Sequence, residues 1–571
     1  MTPSPGPTKA ELADRPWLAR YPPGIAPTVE IPNERLPDVV ERSVRTWPRR
    51  DAFVFYGSRW SYREFWEATG RFAAALHREG FSAGDRLALY LPNTPVYPVA
   101  FFGALRLGVA VVQVSPLYIA DDLARLLGDA RPKGIVFLDI SSRNLEGISK
   151  DLLPPVRFAA RLRSQYPWYQ RWLVNAVARR KGLDPAYPAD PQVRDFGRAI
   201  RTPGTFPEPS SDPATEVAVL QYTGGTTGVP KAAMLTHRNL VANALQCQAW
   251  FPIQPPGTSI LLAAVPYFHV YGMTVALNYP LVSGSTIVLQ IRPEVDEMLR
   301  LIAKHRPVEL PGVPSIYRAL ADHPKVGRYD VRSIRLCVSG SAPLPSEVVR
   351  RFESMTGGNL LEGYGLTEAS PVTHANPVDR ELRRDGSIGL PMPSTEQRVV
   401  DLETGTRTLP SGEVGELVVR GPQVMLGYAG RPDETAQAVR GGWLFTGDVA
   451  RIDPEGYAFI VDRKKDMIDV GGFKVYPREV EEVLYRIPGV AEAACVGVPD
   501  AALGEVVKAF LVLRPGASVS EAEVIAFVRA HIAHYKAPRT VEFRATLPKS
   551  GVQKVLRREL RAPPTPAQSP R

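Results

Sequence analysis

Residues 222–232 read YTGGTTGVPKA, and this stretch decides the fold assignment. It lies between an apolar run at 217–220 and a helix-like run at 237–244. Glycine lets a backbone approach a ligand and turn its N–H groups toward one anion, threonine hydroxyls add donors, and lysine neutralises charge. An ordinary Gly/Thr turn is the alternative to a phosphate-binding loop. The loop prediction covers Thr223, Gly224, Gly225, Thr226, Thr227, Gly228 and Lys231.

The same residues exclude one common kind of phosphate loop. A P-loop needs Gly-Lys-Ser/Thr at the start of a helix, whereas here Pro230 precedes Lys231 and Ala232 follows it. A P-loop NTPase is therefore disfavoured, although a nucleotide is still expected.

Length and cysteine usage indicate a large intracellular protein. The chain has 571 residues, more than one hydrophobic core usually supports, so at least two domains are expected. Cys247, Cys337 and Cys495 are widely scattered without metal spacing, which favours a reducing compartment and no structural zinc. The N-terminal sequence MTPSPGPTKAELADRP has no apolar core and is not a secretory signal. We therefore expect a cytoplasmic protein.

A long uncharged region follows the loop. No Asp, Glu, Lys or Arg occurs between Arg238 and Arg292, but five prolines divide the region into pieces shorter than the roughly 20 apolar residues of a membrane span. The region is better interpreted as buried sheet and helix, including the wall of an apolar tunnel.

The first half of the chain alternates strands and helices. Ser61 and Glu64 form a predicted capping box that begins a helix ending near Gly80. Strands at 86–91 and 109–114 flank a helix at 96–107, a βαβ pattern that predicts a parallel sheet.

Two later regions have a different character. Residues 141–215 show low periodicity and many prolines, and they predict a solvated insertion, with contact to a membrane surface as the alternative for their basic and aromatic stretch. After residue 463, helices at 477–487 and 520–532 and strands at 493–498, 506–513 and 540–545 predict a small α+β domain.

Further motifs reveal a family resemblance that covers nearly the whole chain. With its first loop, the chain resembles the adenylate-forming superfamily of acyl-CoA ligases, peptide-synthetase adenylation domains and luciferases, although Ala232 replaces the usual last glycine of the loop. The stretch PQVMLGY at 422–428 is most similar to bacterial long-chain fatty acid CoA ligases. The other motifs are PYFHVYG (266–272), GSAPLP (340–345), EGYGLTE (362–368), GWLFTGD (442–448), VDRKKDMIDVGGFKVYPREVEEVL (461–484) and PKSGVQKVLRREL (548–560).

The resemblance implies a fold and a domain organisation. A large α/β N-terminal domain with mixed and parallel sheets and helices is expected at 1–462, including the 141–215 insertion. A hinge at 463–466 would lead to a mobile α+β domain at 467–562 and a disordered tail at 563–571.

The resemblance also implies the chemistry. A fatty acid would attack the α-phosphorus of ATP, with Mg²⁺ as cofactor, to give acyl-AMP and pyrophosphate, and CoA would then displace AMP. The charge that builds up on the phosphate requires donors and cations in place, so catalysis is implied for Lys554, Lys231, Thr367 and Glu368, with Glu368 as the metal ligand. Nucleotide binding is implied for Gly340, Ser341, Ala342, Gly363, Tyr364, Gly365, Asp448 and Arg463.

Other motif residues are implied in acyl binding and domain motion. His269, Val270 and Gly272 would line the carboxylate pocket, Lys465 would be the hinge, and Gly471 and Gly472 would line the path of CoA. Gln553 replaces the usual glycine before Lys554, and Lys549 is a competitor for the role of that lysine.

Several alternatives stay open from the sequence. The substrate alternatives are a medium-chain or aryl acid, and the acceptor alternative is a carrier protein in place of CoA. A nucleotide-binding sensor is the non-enzyme alternative. The formal charge of +10 suits polyanionic substrates or an anionic membrane at the inner face of the cell, and no nucleic-acid motif is present. Chain length and a homodimer are not determined by the sequence.

Overall fold

The protein is represented by a computed structural model that describes residues 15–180, 190, 192–223, 230–252, 254–500, 502–549 and 555–561. It divides into two compact units. The first comprises Met1–Glu396 with Val419–Leu444, and the second comprises Gln397–Val418 with Phe445–Arg571.

The strands are, in chain order, β1 (Asp51–Phe55), β2 (Ser58–Ser61), β3 (Arg86–Tyr90), β4 (Ala110–Val114), β5 (Gly134–Leu138), β6 (Val156–Ala160), β7 (Val193–Asp195), β8 (Val217–Thr223), β9 (Lys231–Thr236), β10 (Ile260–Ala263), β11 (Thr286–Leu289), β12 (Leu336–Ser339), β13 (Asn359–Gly365), β14 (Val372–Ala375), β15 (Leu390–Pro391), β16 (Glu396–Val400), β17 (Gly415–Arg420), β18 (Gly427–Tyr428), β19 (Val439–Arg440), β20 (Trp443–Ile452), β21 (Ala458–Arg463), β22 (Ile468–Val470), β23 (Phe473–Val475), β24 (Val490–Asp500), β25 (Gly504–Leu513) and β26 (Thr540–Phe543).

The α-helices are α1 (Leu36–Thr46), α2 (Tyr62–Arg78), α3 (Val96–Arg106), α4 (Ala120–Ala130), α5 (Ser142–Glu146), α6 (Arg171–Arg180), α7 (Phe196–Ala199), α8 (His237–Trp250), α9 (Val270–Met273), α10 (Tyr279–Val282), α11 (Val295–His305), α12 (Pro314–Ala321), α13 (Ser346–Thr356), α14 (Pro432–Ala438), α15 (Pro477–Leu484), α16 (Glu521–His531) and α17 (Arg557–Arg561). A π-helical stretch, Thr274–Asn278, joins α9 to α10. Short 3₁₀ helices span Pro16–Arg20, Asp139–Ser141, Leu162–Gln165, Trp168–Gln170, Val326–Arg328, Thr367–Ala369 and His534–Lys536.

An eight-stranded sheet dominates the first unit, in the order β18-β9-β8-β4-β3-β5-β6-β7. Strands β3 and β4 are parallel, as the βαβ pattern predicts, and helix α3 connects them. The capping box before α2 is confirmed, since the Ser61 N–H donates to Glu64 Oε2 at 2.8 Å. Strands β8 and β9 form an antiparallel pair near one edge of the sheet, and the predicted phosphate loop connects them in the chain.

The stretch 141–215 contributes to this sheet. Strand β6 pairs in parallel with β5, and β7 pairs in parallel with β6. Phe158 and Phe196 are buried there, and both pack against Phe72 of α2. Low periodicity concealed these strands because edge strands as short as β7 offer too few residues for an alternating pattern.

Two four-stranded sheets complete the first unit, in the orders β10-β11-β1-β2 and β12-β13-β14-β15. Strands β12 and β13 are parallel. A core that includes Leu262, Met298, Tyr317, Cys337 and Phe352 packs these sheets against helices α11 to α13. The uncharged region therefore forms buried sheet and helix. No helix within the described residues combines the length and apolar character that crossing a membrane requires.

The second unit contains two sheets. Strands β16, β17 and β20 are neighbours in that order, and β21 pairs with β20. The other sheet has the order β23-β22-β25-β24, with β26 beside β25. Val480, Leu484, Val524 and Val528 of α15 and α16 are buried in its core. The expected fold class, a large α/β unit with a smaller α+β unit, is confirmed.

The division between the units differs from the predicted boundary at residue 462. Strands β20 and β21 group with the second unit because they pair with each other throughout Asp448–Arg463, from the Asp448 and Arg463 pair to the Ile452 and Ala458 pair. The boundary at 462 was predicted as the point about which the C-terminal domain rotates, with Lys465 as the hinge, and it stays a prediction. The predicted disordered tail, 563–571, lies outside the described residues.

Candidate active site

The ends of the phosphate loop are held side by side. Thr223, the last residue of β8, pairs across the sheet with Lys231, the first residue of β9. Its Oγ1 donates to the Lys231 carbonyl oxygen over 3.4 Å. Strand β8 is parallel to β4, so the loop begins at the carboxyl edge of parallel strands, where open α/β sheets bind ligands. Gly224, Gly225, Thr226, Thr227 and Gly228 lie outside the described residues.

Strand β18 brings an aromatic ring to the loop lysine. Tyr428 pairs with Ala233 of β9, and its ring centroid lies 5.4 Å from Lys231 Nζ. A cation at this distance from a ring is attracted to its face. The ring therefore helps to hold the ammonium group at the base of the loop.

The same tyrosine contacts the predicted metal ligand. Tyr428 Oη donates to Glu368 Oε1 at 2.7 Å, and the Met425 N–H donates to the Glu368 carbonyl oxygen at 2.8 Å. Burial and the neighbouring Glu368 carboxylate raise the pKa of Tyr428, so the phenol stays a donor. Lys231, Tyr428 and Glu368 thus form one polar cluster, although they lie far apart in the sequence.

The residues around Glu368 fit a magnesium ion. Mg²⁺ prefers oxygen ligands and is usually held by one or two carboxylates together with substrate phosphates and waters. Glu368 supplies one half-buried carboxylate, and Thr367 beside it supplies a hydroxyl. Among the described residues there is no group of three or more His, Cys, Asp or Glu that could hold a metal alone. Phosphate oxygens would have to complete this site.

The predicted adenine site lies at the carboxyl ends of β12 and β13. Ser339 pairs with Glu362, which places Gly340 beside Gly363, and Tyr364 is one residue further along β13. The Tyr364 ring centroid is 5.9 Å from that of His374 at an interplanar angle of 64°. Ser341 and Ala342 are exposed.

Two glycines of this motif are required by packing. A Cβ atom on Gly365 would lie 2.1 Å from the Pro371 carbonyl oxygen, and one on Gly363 would lie 2.9 Å from Val338 Cγ1. The Leu366 N–H donates to the same Pro371 oxygen at 3.1 Å, which closes the turn into the short helix that carries Thr367 and Glu368. The glycines therefore set the position of the segment that carries Thr367 and the predicted metal ligand Glu368.

The PYFHVYG motif lies next to the phosphate-loop strand. Gln221 of β8 donates from Nε2 to the Phe268 carbonyl oxygen at 3.1 Å. His269 caps α9, since its Nδ1 accepts from the Tyr271 N–H at 3.2 Å. Val270 is buried, and a Cβ on Gly272 would lie 2.1 Å from the Pro266 carbonyl oxygen. The half-buried His269 is thus positioned beside β8.

The second unit places the predicted ribose-binding pair together. Asp448 and Arg463 lie opposite each other on β20 and β21, with Arg463 Nε 3.4 Å from Asp448 Oδ1. Asp448 is buried, and its N–H donates to Thr446 Oγ1 at 3.1 Å.

Lys465 follows β21 and is exposed. Its neighbours are fixed, because the Lys464 N–H donates to the Gly447 carbonyl oxygen at 2.9 Å and Lys464 Nζ lies 2.8 Å from Glu416 Oε2. Gly471 and Gly472 form the turn between β22 and β23, with φ values of 60° and 89°. A two-residue hairpin turn of this type needs positive φ at both positions, which explains the two glycines.

Lys554 lies outside the described residues, but both flanks of its segment are anchored. Lys549 pairs with Val555 through a β-bridge, and its Nζ is 2.6 Å from Glu492 Oε1. Arg557 donates to Glu481 Oε2 at 2.8 Å and lies within 3.4 Å of Asp462. Lys549, the competitor for the catalytic role, thus already has its ammonium group in an ion pair.

Sequence analysis did not assign a role to Tyr428. The only signal was its place in PQVMLGY, because its contacts with Lys231 and Glu368 depend on the pairing of β18 with β9.

Comparison with known proteins agrees with this architecture. The AMP-binding enzyme family matches residues 40–429, and the AMP-binding enzyme C-terminal domain matches residues 479–554. The chain belongs to this family of acid-thiol ligases.

Named relatives and a solved structure are similar over nearly the whole length. A long-chain-fatty-acid–CoA ligase from Bacillus subtilis (strain 168) is 41% identical over 556 residues, covering 96% of this chain and 98% of that protein. A long-chain-fatty-acid–CoA ligase from Escherichia coli O157:H7 is 40% identical over 559 residues, covering 95% and 97%. The crystal structure of ATP-bound MatB from Rhodopseudomonas palustris has a TM-score of 0.78 at 30% identity, covering 92% and 98%.

Proposed function

We propose that this chain is a long-chain fatty acid CoA ligase that forms acyl-AMP and pyrophosphate from a fatty acid and ATP and then transfers the acyl group to CoA. The cluster of Lys231, Tyr428 and Glu368 at the ends of the phosphate loop carries the proposal. A cation and a carboxylate held together by one tyrosine beside the ends of the loop support the binding of the triphosphate of ATP there. The similarity to named long-chain ligases supports the substrate class.

In the first half-reaction, the fatty acid carboxylate attacks the α-phosphorus. Negative charge grows on the phosphate oxygens, and preorganised donors lower the barrier because they need no reorganisation. We assign this role to Thr223, Lys231, Thr367 and Lys554, together with the loop residues 224–228. When bound, Mg²⁺ at Glu368 would neutralise phosphate charge.

The nucleoside would be held by residues from several of the family motifs. We assign the adenine face to Tyr364 and the segment Gly340, Ser341 and Ala342. Asp448 would accept from the two ribose hydroxyls, since one carboxylate has two acceptor oxygens, and Arg463 would be the second ribose contact. The contact of Arg463 Nε with Asp448 Oδ1 orients the carboxylate before ATP arrives.

The second half-reaction needs the thiol of CoA to reach the acyl-adenylate. We assign the hinge to Lys465, the exposed residue that follows β21, and the path of the CoA arm to Gly471 and Gly472. Glycine allows close approach of a ligand to the backbone.

The acyl chain would enter beside His269, Val270 and Gly272. The uncharged region and β12 also line a small cavity, whose walls include Cys247, Leu261, Val275 and Leu336 together with the polar Tyr279 and Glu309. Apolar walls favour a hydrocarbon chain, by up to ~0.8 kcal/mol for each buried methylene.

The products of the reaction test this proposal. Purified protein with Mg²⁺, ATP, CoA and a fatty acid should form acyl-CoA, AMP and pyrophosphate, and kcat/KM should rise about fourfold per methylene until the pocket ends. The measurement is chromatography of nucleotides and thioesters across saturated acids from C6 to C20. ADP in place of AMP would contradict adenylation. A flat profile, or a preference for aryl acids, would favour the medium-chain or aryl alternative.

A fatty acyl-AMP ligase that serves a carrier protein is the second candidate for the acceptor. It predicts acyl-AMP that accumulates with CoA present and disappears only when a carrier protein bearing a phosphopantetheine arm is added. Rapid consumption of acyl-AMP by free CoA would exclude it.

We also propose that the helix α6 and the 3₁₀ turn before it contact an anionic membrane at the inner face of the cell. Trp168 and Trp172 are 80% and 70% exposed, and Tyr169, Leu173 and Val177 are exposed beside them. Arg179 and Arg180 lie at the end of the same helix. Exposed tryptophans with adjacent arginines are typical of interfacial contacts, because the rings enter the headgroup region while the cations meet anionic lipids.

Removing the two arginines should weaken this contact. Each basic residue near the headgroups is worth about 1 kcal/mol, so Arg179→Ser with Arg180→Ser should reduce binding to phosphatidylglycerol-containing vesicles by about 30-fold. Vesicle co-sedimentation at low salt is the measurement. The matched control is Arg45→Ser with Arg125→Ser, which removes two exposed arginines elsewhere. Unchanged binding would contradict the contact, and a loss of dimer mass in a Trp168→Ser variant would assign the face to a homodimer.

A further inference from the structure

The backbone of Tyr428 is held from two sides. Tyr428 ends β18, a strand of two residues at one end of the eight-stranded sheet. Strand β9 accepts hydrogen bonds from the N–H groups of Leu426 and Ala429, at 3.0 and 2.9 Å. The Tyr428 N–H donates instead to Thr435 Oγ1 of α14, at 2.9 Å. An edge strand leaves such N–H groups without a partner in the sheet, so the threonine supplies the acceptor.

The Thr435 hydroxyl also closes the turn into α14. Its Oγ1 donates to the Arg431 carbonyl oxygen at 2.8 Å, and the Arg431 N–H donates to the Tyr428 carbonyl oxygen at 3.2 Å. A threonine hydroxyl has one hydrogen to donate and lone pairs that accept, so it can make both of its bonds at once. One side-chain oxygen therefore ties the strand to the helix.

Close packing fixes the distance between the same two elements. Gly427 has a φ of 150°, and a Cβ atom there would lie 2.7 Å from Thr435 Cγ2 and 3.0 Å from Thr435 Oγ1. No larger residue fits between the strand and the threonine in this backbone conformation. With a hydrogen bond to one residue of β18 and a close contact with the other, Thr435 restrains Tyr428 both along the strand and across it.

The position of Tyr428 matters because its phenol contacts the predicted metal ligand. Tyr428 Oη donates to Glu368 Oε1 at 2.7 Å. Hydrogen bonds between oxygens occupy a narrow range of distance and angle, and a displacement of the tyrosine by roughly 1 Å would take this bond out of that range. The orientation of the Glu368 carboxylate therefore depends on what holds the tyrosine in place.

We propose that Thr435 is a positioning residue for adenylation, whose hydroxyl holds Tyr428 where the phenol orients Glu368 for Mg²⁺. The inference rests on the proposed ligase function and adds to its magnesium site a residue that acts through another side chain. The competing explanation is that the hydroxyl serves α14 alone, since threonine hydroxyls commonly bond the carbonyl oxygen four residues earlier in a helix. Only the proposed role links Thr435 to the Mg²⁺ dependence of the reaction.

Two substitutions separate the hydroxyl from the shape of the side chain. Thr435→Val keeps the branched shape that packs on Gly427 but removes the hydroxyl, whereas Thr435→Ser keeps the hydroxyl. Pyrophosphate release with fatty acid and ATP is measured as a function of Mg²⁺ concentration. Thr435→Val should raise the half-saturating Mg²⁺ concentration about fivefold, the effect of one lost hydrogen bond, and Thr435→Ser should stay within about twofold of wild type. Thioester formation from supplied acyl-AMP and CoA should be unchanged in both, because that half-reaction uses no ATP.

A double variant shows whether Thr435 acts through the phenol. Tyr428→Phe removes the hydrogen bond to Glu368, so adding Thr435→Val to it should change the half-saturating Mg²⁺ concentration by less than about 1.5-fold. Thr46→Val is the matched control. Thr46 Oγ1 donates to the Arg42 carbonyl oxygen at 2.7 Å, the same kind of bond to a residue four positions earlier, in α1. We expect this control to match wild type in both half-reactions.

The outcomes separate the inference from the proposed function. An unchanged Mg²⁺ dependence in Thr435→Val would overturn the inference and leave the ligase function standing. An equal loss in both half-reactions, or a full fivefold effect of Thr435→Val in the Tyr428→Phe background, would also overturn it, because either result would assign the hydroxyl to α14 alone. If the wild type forms no acyl-adenylate from any fatty acid, both are wrong. Thermal denaturation checks that each variant is folded, and Thr435→Ala is the replacement if the valine variant is not.

Discussion

Lys554→Ala is expected to lower the rate of acyl-adenylate formation by about 10²-fold or more, because a charged donor to the developing phosphate charge is lost. Conversion of supplied acyl-AMP to acyl-CoA should persist, since the lysine serves only the first half-reaction. The two rates are measured separately, as pyrophosphate release with fatty acid and ATP, and as thioester formation from acyl-AMP and CoA.

Lys549→Ala is the matched control for this variant. Lys549 lies on the same segment, but its ammonium group is already paired with Glu492 at 2.6 Å. We expect its adenylation rate to stay within about threefold of wild type, as is usual for an ion pair at a partly exposed site. If Lys549→Ala loses adenylation and Lys554→Ala does not, the assignment of the two lysines is reversed. Equal loss of both half-reactions in Lys554→Ala would indicate a folding defect.

Lys465→Pro also tests whether the two half-reactions can be separated, here by constraining the predicted hinge. Proline fixes φ near −65°, and a hinge works by changing its backbone torsions. We expect acyl-AMP formation to persist and thioester formation to fall. If both rates stay near wild type, Lys465 is not the pivot.

Glu368→Gln is expected to reduce adenylation by about 10²-fold and to raise the Mg²⁺ concentration needed for half of the maximal rate. The amide has the size of the carboxylate but no charge, and a hard cation binds a neutral amide oxygen more weakly. The measurement is pyrophosphate release as a function of Mg²⁺ concentration at saturating ATP and fatty acid.

Tyr428→Phe is the control that separates charge from orientation. It removes the 2.7 Å hydrogen bond to Glu368 Oε1 but leaves the carboxylate in place. One hydrogen bond to a charged group contributes roughly 1.5–3 kcal/mol, and because the carboxylate itself is kept we expect a loss at the lower end of this range, about tenfold, smaller than that of Glu368→Gln. A Mg²⁺ dependence that is unchanged in Glu368→Gln would show that this residue is not the ligand.

Local sequence patterns predicted the elements of the fold well. The capping box of Ser61 and Glu64 needs only four neighbouring residues, and its helix begins where the pattern places it. The alternation of strands and helices in the first half predicted the parallel pairing of β3 and β4. Such signals are reliable because each depends on hydrogen bonds and burial within one element or between consecutive ones.

The division of the chain into two compact units could not be predicted from local sequence patterns. Residues 397–418 lie well before the predicted boundary, yet they group with the second unit through β16 and β17. Their strands carry no local signal of their partners, because pairing between strands distant in the chain depends on the whole sheet.

The sequence by itself determined the family, and it predicts the phosphate loop and single site residues such as Glu368 and Asp448, because short motifs record the local backbone and the chemistry of each side chain. Only the tertiary structure decided which groups meet. It placed Tyr428 between Lys231 and Glu368, and it buried Glu309 beside Ser259 and Tyr279 in an apolar cavity. The physical reason is that hydrogen bonding and desolvation act between neighbours in space, and those neighbours are set by strand register and packing rather than by distance along the chain.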